Sequence, residues 1–288
     1  MRSVVRNPGT ACAACDSLAD TGFVSKTSPF ALMSSYIAGA EEKASAIIQA
    51  VEIPTIGAIS LYPGSGQTSN PYLFYLHSGV PGEAEALASH LDRQAVAQQP
   101  ASILYAGESA KRIAESIKTG AKNVSWTLVD VAAPKGVDSG LASIAQGSSH
   151  SLLLLCQASV SERVIAATAA SNRKTATILI PGSLASPALI TAGRHIGVKV
   201  LFAFPDRLPG PTFENATIAE ARILTEALTR AGQEVSRDKL IQALESMYEF
   251  ESGTTPAISF GPNRRIGITG TRLVSVDPQT GTLQPLAK

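Results

Sequence analysis

The chain has 288 residues, 44% of them hydrophobic and 16% charged, and its 24 Lys and Arg nearly cancel its 23 Asp and Glu. That composition describes a globular protein of about two ordinary domains and excludes a disordered chain. The even charge balance, without a Lys/Arg cluster interleaved with aromatics, argues against a nucleic-acid surface. No apolar run reaches the roughly 20 residues that span a bilayer.

Residues 1–28 read as a poorly structured N-terminal segment. They lack the continuous apolar core of a secretory signal and carry Cys12 and Cys15 in the pattern C-A-A-C. Such a pair can serve redox chemistry, half a zinc site, or haem attachment when His follows. Here Asp16 follows, and no second pair completes a zinc site. His77, His90, His150 and His195 show no ligand spacing. The two thiols read as incidental, and no metal or other cofactor is expected.

From Phe30 to Phe204 short apolar runs alternate with helix-forming stretches. The runs are FALM (Phe30–Met33), IPTIGAI (Ile53–Ile59), SILYA (Ser102–Ala106), WTLVDV (Trp126–Val131), SLLLLC (Ser151–Cys156), TATILI (Thr175–Ile180) and VKVLFAF (Val198–Phe204). Continuous apolarity in place of strict alternation predicts strands covered on both faces, as in parallel sheets. Between them, AGAEEKASAIIQAV, EAEALASHLDRQAV, SAKRIAESIKTG and SERVIAATAASN have the length and content of crossover helices. The pattern is that of an α/β fold with parallel sheets flanked by helices. Cys156 reads as a small core residue on its strand.

After Phe204 the rhythm changes. PDRLPGP leads into two helices, ATIAEARILTEALTRAG and SRDKLIQALESMYEF. Leu224, Ala227, Leu228 and Ala231 share a face of the first, with Gly232 placed as its C-terminal cap. Leu240, Ile241, Leu244, Met247 and Tyr248 share a face of the second, with Ser236 as N-cap. The tail, PAISFGPNRRIGITGTRLVSVDPQTGTLQPLA, reads as short strands between turns, with DPQTG as a hairpin link.

Two stretches are candidates for binding. SLYPGSGQTSNPYLFYL (Ser60–Leu76) puts Gly64 and Gly66 beyond a strand end. A phosphate loop needs G-x-x-x-x-G-K-[ST], whereas GSGQTS has no Lys and is followed by an extended NPYLFYL. A plain turn remains open, because Gly, Ser and Asn suit turns and Pro71 discourages helix at Asn70. A small-molecule site at the strand's carboxyl end remains open as well. SSYIAGAEE (Ser34–Glu42) follows FALM where a strand gives way to a helix, so free N–H groups and the positive helix end could receive a carboxylate. Ordinary capping of that helix by Ser35 is the alternative.

The segments ARILTEALTRAG, SRDKLIQALES, ISFGPNRRIG and LVSVDPQTGTLQPL resemble the C-terminal part of the branched-chain-amino-acid (Leu/Ile/Val)-type periplasmic binding proteins. These are the substrate-binding receptors of ABC importers, with the type I periplasmic-binding fold. IPTIGAIS, NPYLFYLHSGVPGEAEALASHL and ILYAGESAKRIAE match the family's middle segments, so the resemblance runs from about Pro29 to the end. It implies two α/β lobes facing each other across a cleft, lobe 1 from 29–99 and 205–250, lobe 2 from 100–204 and 251–288. It further implies a non-catalytic receptor that binds a small polar ligand (an amino acid, a small organic acid or an amide) and docks on a membrane permease. By that resemblance the location is periplasmic, although no signal-peptide pattern is visible.

The resemblance also suggests the site. Ser60, Leu61 and Tyr62 would hold the ligand's carboxylate through a hydroxyl and main-chain groups, with the Gly-rich stretch as a rim. Ser35, Tyr36, Ala38 and Gly39 would form a second wall, Ala38 and Gly39 offering backbone donors alone. The loops after Tyr105, Cys156 and Ile180 would add Tyr105, Glu108, Ser109, Gln157, Ala158 and Ser183. Members that bind amino acids have an acidic residue near PGS, where this chain has Ser183. That departure counts against an amino-acid ligand, unless Glu108 substitutes, and leaves small carboxylates, amides or aromatic acids open.

Two further departures appear. The family's opening strand–loop–helix unit has no counterpart in the N-terminal segment, and a longer stretch with an extra helix between Phe204 and Thr212 is absent. The expectation is an N-terminally shortened member with an unpaired edge in lobe 1, in which truncation could impair binding. A ligand-sensing regulatory domain of the same fold is the alternative function, and a C-x-x-C redox or haem-associated protein is a weaker one. No nucleophile–base or paired-acid constellation supports an enzyme.

Overall fold

Each apolar run expected as a strand forms one, and the strands sort into two separate sheets. The computed structural model describes residues 28–64, 70–95, 98–132, 150–170, 175–195, 198–205, 213–277 and 279–286. The first sheet has the order β1–β2–β3–β9 and is parallel throughout: β1 (Leu32–Met33), β2 (Thr55–Ile56), β3 (Leu73–His77) and β9 (Ile266–Ile268). The second contains β4 (Gln99–Tyr105), β5 (Val124–Asp130), β6 (His150–Leu155), β7 (Thr175–Pro181), β8 (Lys199–Phe204), β10 (Arg272–Val276) and β11 (Leu283–Pro285). Its order is β11–β10–β8–β7–β6–β4–β5, antiparallel only where β10 meets β8 and β11. The helices are α1 (Glu41–Val51), α2 (Gly79–Gln94), α3 (Glu108–Gly120), α4 (Ala158–Ala170), α5 (Pro187–His195), α6 (Phe213–Ala231) and α7 (Arg237–Glu245).

The chain divides into two compact units, with crossings after Gly79, at 210–211 and after Thr269. The expected lobe boundaries at 99 and 250 fall elsewhere in this partition. Helix α2 goes with the seven-stranded sheet because it is bonded to it: the Asp92 carboxylate accepts the N–H groups of Lys122, Asn123 and Val124 where β5 begins. Residues 251–269 go with the smaller sheet because β9 pairs with β3. Cys12, Cys15, the rim at 65–69 and the Pro-rich connector at 206–212 lie outside the described residues.

In the smaller unit β3 explains why a parallel strand reads as a solid apolar run. Phe74 and Leu76 join a core with Ala219, Ile223, Leu240, Leu244 and Met247 of the C-terminal helical segment. Leu73 and Tyr75 face the other way, into a core with Ile37, Ala44, Ile48 and Ala58. Burying each such side chain contributes roughly 1.5–3 kcal/mol. Phe74 also meets Phe260 edge to face at 5.3 Å between centroids. In the larger unit β6 does the same with Leu152 to Leu155, all fully buried.

Some local expectations change. Tyr248 is 75% exposed, because α7 ends at Glu245 and the chain turns so that Phe250 pairs with Ile258. The centre of α6's buried stripe is Ala219, Ile223 and Ala227, with Leu224, Leu228 and Ala231 on its flank. Ser236 caps α7, its Oγ accepting the Lys239 N–H at 3.2 Å, and Gly232 follows α6 at φ +78°. Cys156 is buried just past β6 and free, and burial pushes its thiol pKa up. Helix α5 was not anticipated, yet its signal is local. Ser186 Oγ accepts the Leu189 N–H at 3.1 Å, and Pro187 opens the helix.

Asp92 gives the first expected result. Burial nudges its pKa up, but the three N–H donors outweigh that and hold it below the usual carboxylate range. Asp92→Ala removes the acceptor for all three and should cost about 1–2 kcal/mol, read as a lower urea midpoint at unchanged slope.

Candidate functional site

The site in the smaller unit grows from the ends of β1 and β2. Their pairing continues past the strands: the Ile59 N–H donates to the Ser35 carbonyl and the Ile37 N–H to the Ile59 carbonyl, both at 2.9 Å, with Tyr36 bridging Ile59. The segments 34–39 and 58–62 therefore leave the sheet side by side. Where they diverge, α1 begins with Glu41.

The Glu41 carboxylate is the centre of this arrangement. One oxygen accepts the Leu61 N–H at 3.1 Å, the Ser60 hydroxyl at 3.3 Å and the Tyr62 N–H at 3.4 Å. The other accepts the Gly39 N–H at 2.9 Å. Ser60, Leu61, Tyr62 and Gly39 are thus gathered around one carboxylate, and that carboxylate belongs to the chain itself. Ser35 does not cap α1, whose N-cap is Ala40 without a side-chain bond. Tyr36 is 42% exposed, and Ala38 is half-buried beside it.

The candidate residues of the larger unit sit at the ends of three consecutive strands, β7–β6–β4. Tyr105 ends β4, and its carbonyl accepts the Val131 N–H at 2.9 Å. Glu108 and Ser109 open α3, with Glu108 exposed. Gln157 is exposed, and its carbonyl accepts the N–H groups of Val160 and Ser161 as α4 starts at Ala158. Ser183 lies in the 3-10 turn Gly182–Leu184 after β7. Its N–H (2.9 Å) and hydroxyl (2.8 Å) both donate to the carboxylate of Glu83 on α2. Among the described residues no group of His, Cys, Asp and Glu is arranged to hold a metal ion.

No protein-family model matches the chain, and no curated protein does either. Solved structures do match. A branched-chain amino acid ABC transporter protein from Thermus thermophilus with bound valine superposes with TM-score 0.74 at 16% identity, covering 99% of this chain and 84% of that one. An ABC transporter substrate-binding protein from Desulfitobacterium hafniense gives 0.76 at 14%, over 98% and 88% of the two chains. A fatty acid ABC transporter substrate-binding protein from Thermomonospora curvata gives 0.67 at 15%, over 99% and 80%. The fold is that of the type I periplasmic binding proteins.

Two residues of this type I periplasmic-binding fold escaped the sequence reading. Glu83 (0% exposed) and Glu220 (1%) are buried carboxyls, one in each unit. Glu220 lies against Gly57 past β2 and receives the Ser34 hydroxyl from the end of β1. Burial raises both pKa values from 4.5 to about 7, against the opposing pull of their serine donors. The signal was helical spacing: Glu83 stands on the stripe of Val80 and Leu87, Glu220 on that of Ala216, Ile223 and Ala227. A carboxylate does meet the PGS turn, but from α2 and already engaged by Ser183.

Proposed function

We propose that the protein is the solute-binding receptor of an ABC-type importer, taking up a small polar ligand and presenting it to a membrane permease, with no catalytic step. The observation that carries this reading is the placement of the Ser60 hydroxyl and the N–H groups of Gly39, Leu61 and Tyr62 at the carboxyl ends of β1 and β2, where the chain's own Glu41 carboxylate accepts from all four. Ligands of open α/β sheets bind at that end. The fold supports the reading, since its solved neighbours are substrate-binding proteins over nearly the whole chain. The proposal places this chain with exported receptors, and no described helix is long and apolar enough to cross a membrane.

A thermal-shift screen of the wild-type chain tests it, using amino acids, short carboxylic acids and their amides at millimolar concentration. A ligand that binds only the native state at a hundred times its Kd stabilises by about 2.7 kcal/mol, which for a chain of this length raises Tm by roughly 5–10 °C. No shift from any compound class would overturn the receptor reading.

A further inference from the structure

The amino ends of the larger sheet carry polar groups that the receptor reading does not use. In β8, Val200 and Phe202 belong to the core shared with Val164 and Ile165 of α4 and Leu189 of α5. Strand alternation therefore turns Lys199 to the opposite face. Pairing sets Lys199 beside Thr177 and Thr177 beside Ser151, so the three share that face in one row, at strand spacings of about 4.8 Å. Ser151 is 0% exposed, and its hydroxyl has no hydrogen-bond partner among the described residues.

Helix α2 brings a second set of groups to this row. Residues two apart on a helix point about 200° apart, so His90 and Asp92 lie on opposite flanks. The three N–H donors at the start of β5 hold Asp92 at that edge of the sheet, which turns His90 toward β8. Arg93, three residues on, shares the His90 flank. The His90 Nε2 is completely covered and has no partner among the described residues. Burial first, and then the positive charges of Lys199 and Arg93, push the His90 pKa down. Both cations are exposed, and among the described residues neither is in an ion pair. Two cations and an unpartnered imidazole are thus gathered without a counter-charge. A bound anion would relieve their repulsion and give Nε2 an acceptor.

We propose that His90, Arg93 and Lys199 form an anion site at the amino ends of β7 and β8, taking a doubly charged oxyanion of the phosphate or sulfate class, free or as the head of a small monoester. The guanidinium and the ammonium supply charge, the His90 imidazolium donates through Nε2, and the hydroxyl row of Thr177 and Ser151 borders the site on the sheet side. The site stands at the strand ends opposite to Tyr105, Gln157 and Ser183 and does not depend on the receptor reading.

Sulfate is the probe, because it keeps its double charge from pH 5 to pH 8. The ring resonances of His90 in the full chain are followed over that range in sodium sulfate and in sodium chloride at equal ionic strength. In chloride His90 should titrate below the ordinary histidine range. Sulfate should raise its pKa by roughly one pH unit, since the anion stabilises the charged ring, and should bind up to about tenfold more tightly at pH 5 than at pH 8. Lys199→Ala and Arg93→Ala should each raise the His90 pKa in chloride and weaken sulfate binding several-fold, while Lys118→Ala at the end of α3 does neither. A His90 ring that responds to sulfate no more than to chloride overturns the proposal, as does sulfate binding that all three variants weaken equally. The wild-type titration decides even if a variant fails to fold. Glycerol 3-phosphate separates the two sources: displacement of sulfate by it assigns a monoester, and displacement by inorganic phosphate alone assigns the free ion. A negative solute screen leaves the sulfate outcome intact, so the two readings fail separately.

Discussion

Gly57→Ala is expected to destabilise the unit built on the smaller sheet by about 3–5 kcal/mol, a large loss for one added methyl group. Two causes combine. Gly57 has φ +70°, a region that L side chains occupy at a cost of about 1–3 kcal/mol. A Cβ there would also overlap the Glu220 carboxyl, which cannot swing aside because it is 1% exposed and held by the Ser34 hydroxyl. Overpacking of that kind adds roughly 1–3 kcal/mol. Chemical denaturation reads the loss. The double variant Gly57→Ala, Glu220→Ala separates the causes, since it relieves the overlap and should lose less than the sum of the single changes, by about 1 kcal/mol or more. Full additivity would mean that Gly57 is required by its backbone alone.

The second large effect is on pH dependence. Glu83 and Glu220 have folded-state pKa values raised to about 7 from 4.5, so the native state keeps protons that the unfolded chain gives up. Their contribution is fully present below about pH 4.5 and is lost as pH rises through about 7. A shift of that size is worth at most about 3 kcal/mol per group. Glutamine reproduces the protonated acid in shape and hydrogen bonding. The variant Glu83→Gln, Glu220→Gln should therefore match the wild type near pH 5 and exceed it by several kcal/mol at pH 8, with each single change giving part of the gain. Unfolding curves at pH 5, 6, 7 and 8 measure this. Parallel profiles for wild type and double variant would show that both carboxyls are ionised in the native protein at neutral pH.

The fold was legible because its strands are buried on both faces. SLLLLC and VKVLFAF have no polar alternation to confuse with a helix, and the structure covers both sides of β6. Helix ends were legible where a side chain makes the cap, as at Ser236. Legibility failed where the decisive contact is distant in sequence. Ser35 looked like a cap, but Ser34 is the residue that reaches Glu220, and nothing near Ser34 announces a partner on α6. The resemblance picked out Gly39, Ser60, Leu61 and Tyr62 as donors, and the structure has all four bonded to Glu41. That acceptor was not legible, because a Glu in the first turn of a helix is ordinary there, and its three bonds to the segment after β2 depend on how α1 sets down beside it. Tyr248 misled for a simpler reason: helical spacing continues in the sequence after the helix itself has stopped.

The smaller sheet also has a schedule. Its third strand is β3, and the strand that completes it, β9, is made only after β4 to β8 have left the ribosome. Until Ile266–Ile268 emerges, β3 has one bare side, and the apolar faces of Phe74 and Leu76 wait for helices that are themselves late. The larger sheet has its five parallel strands, β4 to β8, in one continuous run and still lacks β10 and β11 when β9 emerges. The smaller sheet thus closes through a strand far along the chain from its partner, a non-local pairing of the kind that forms slowly.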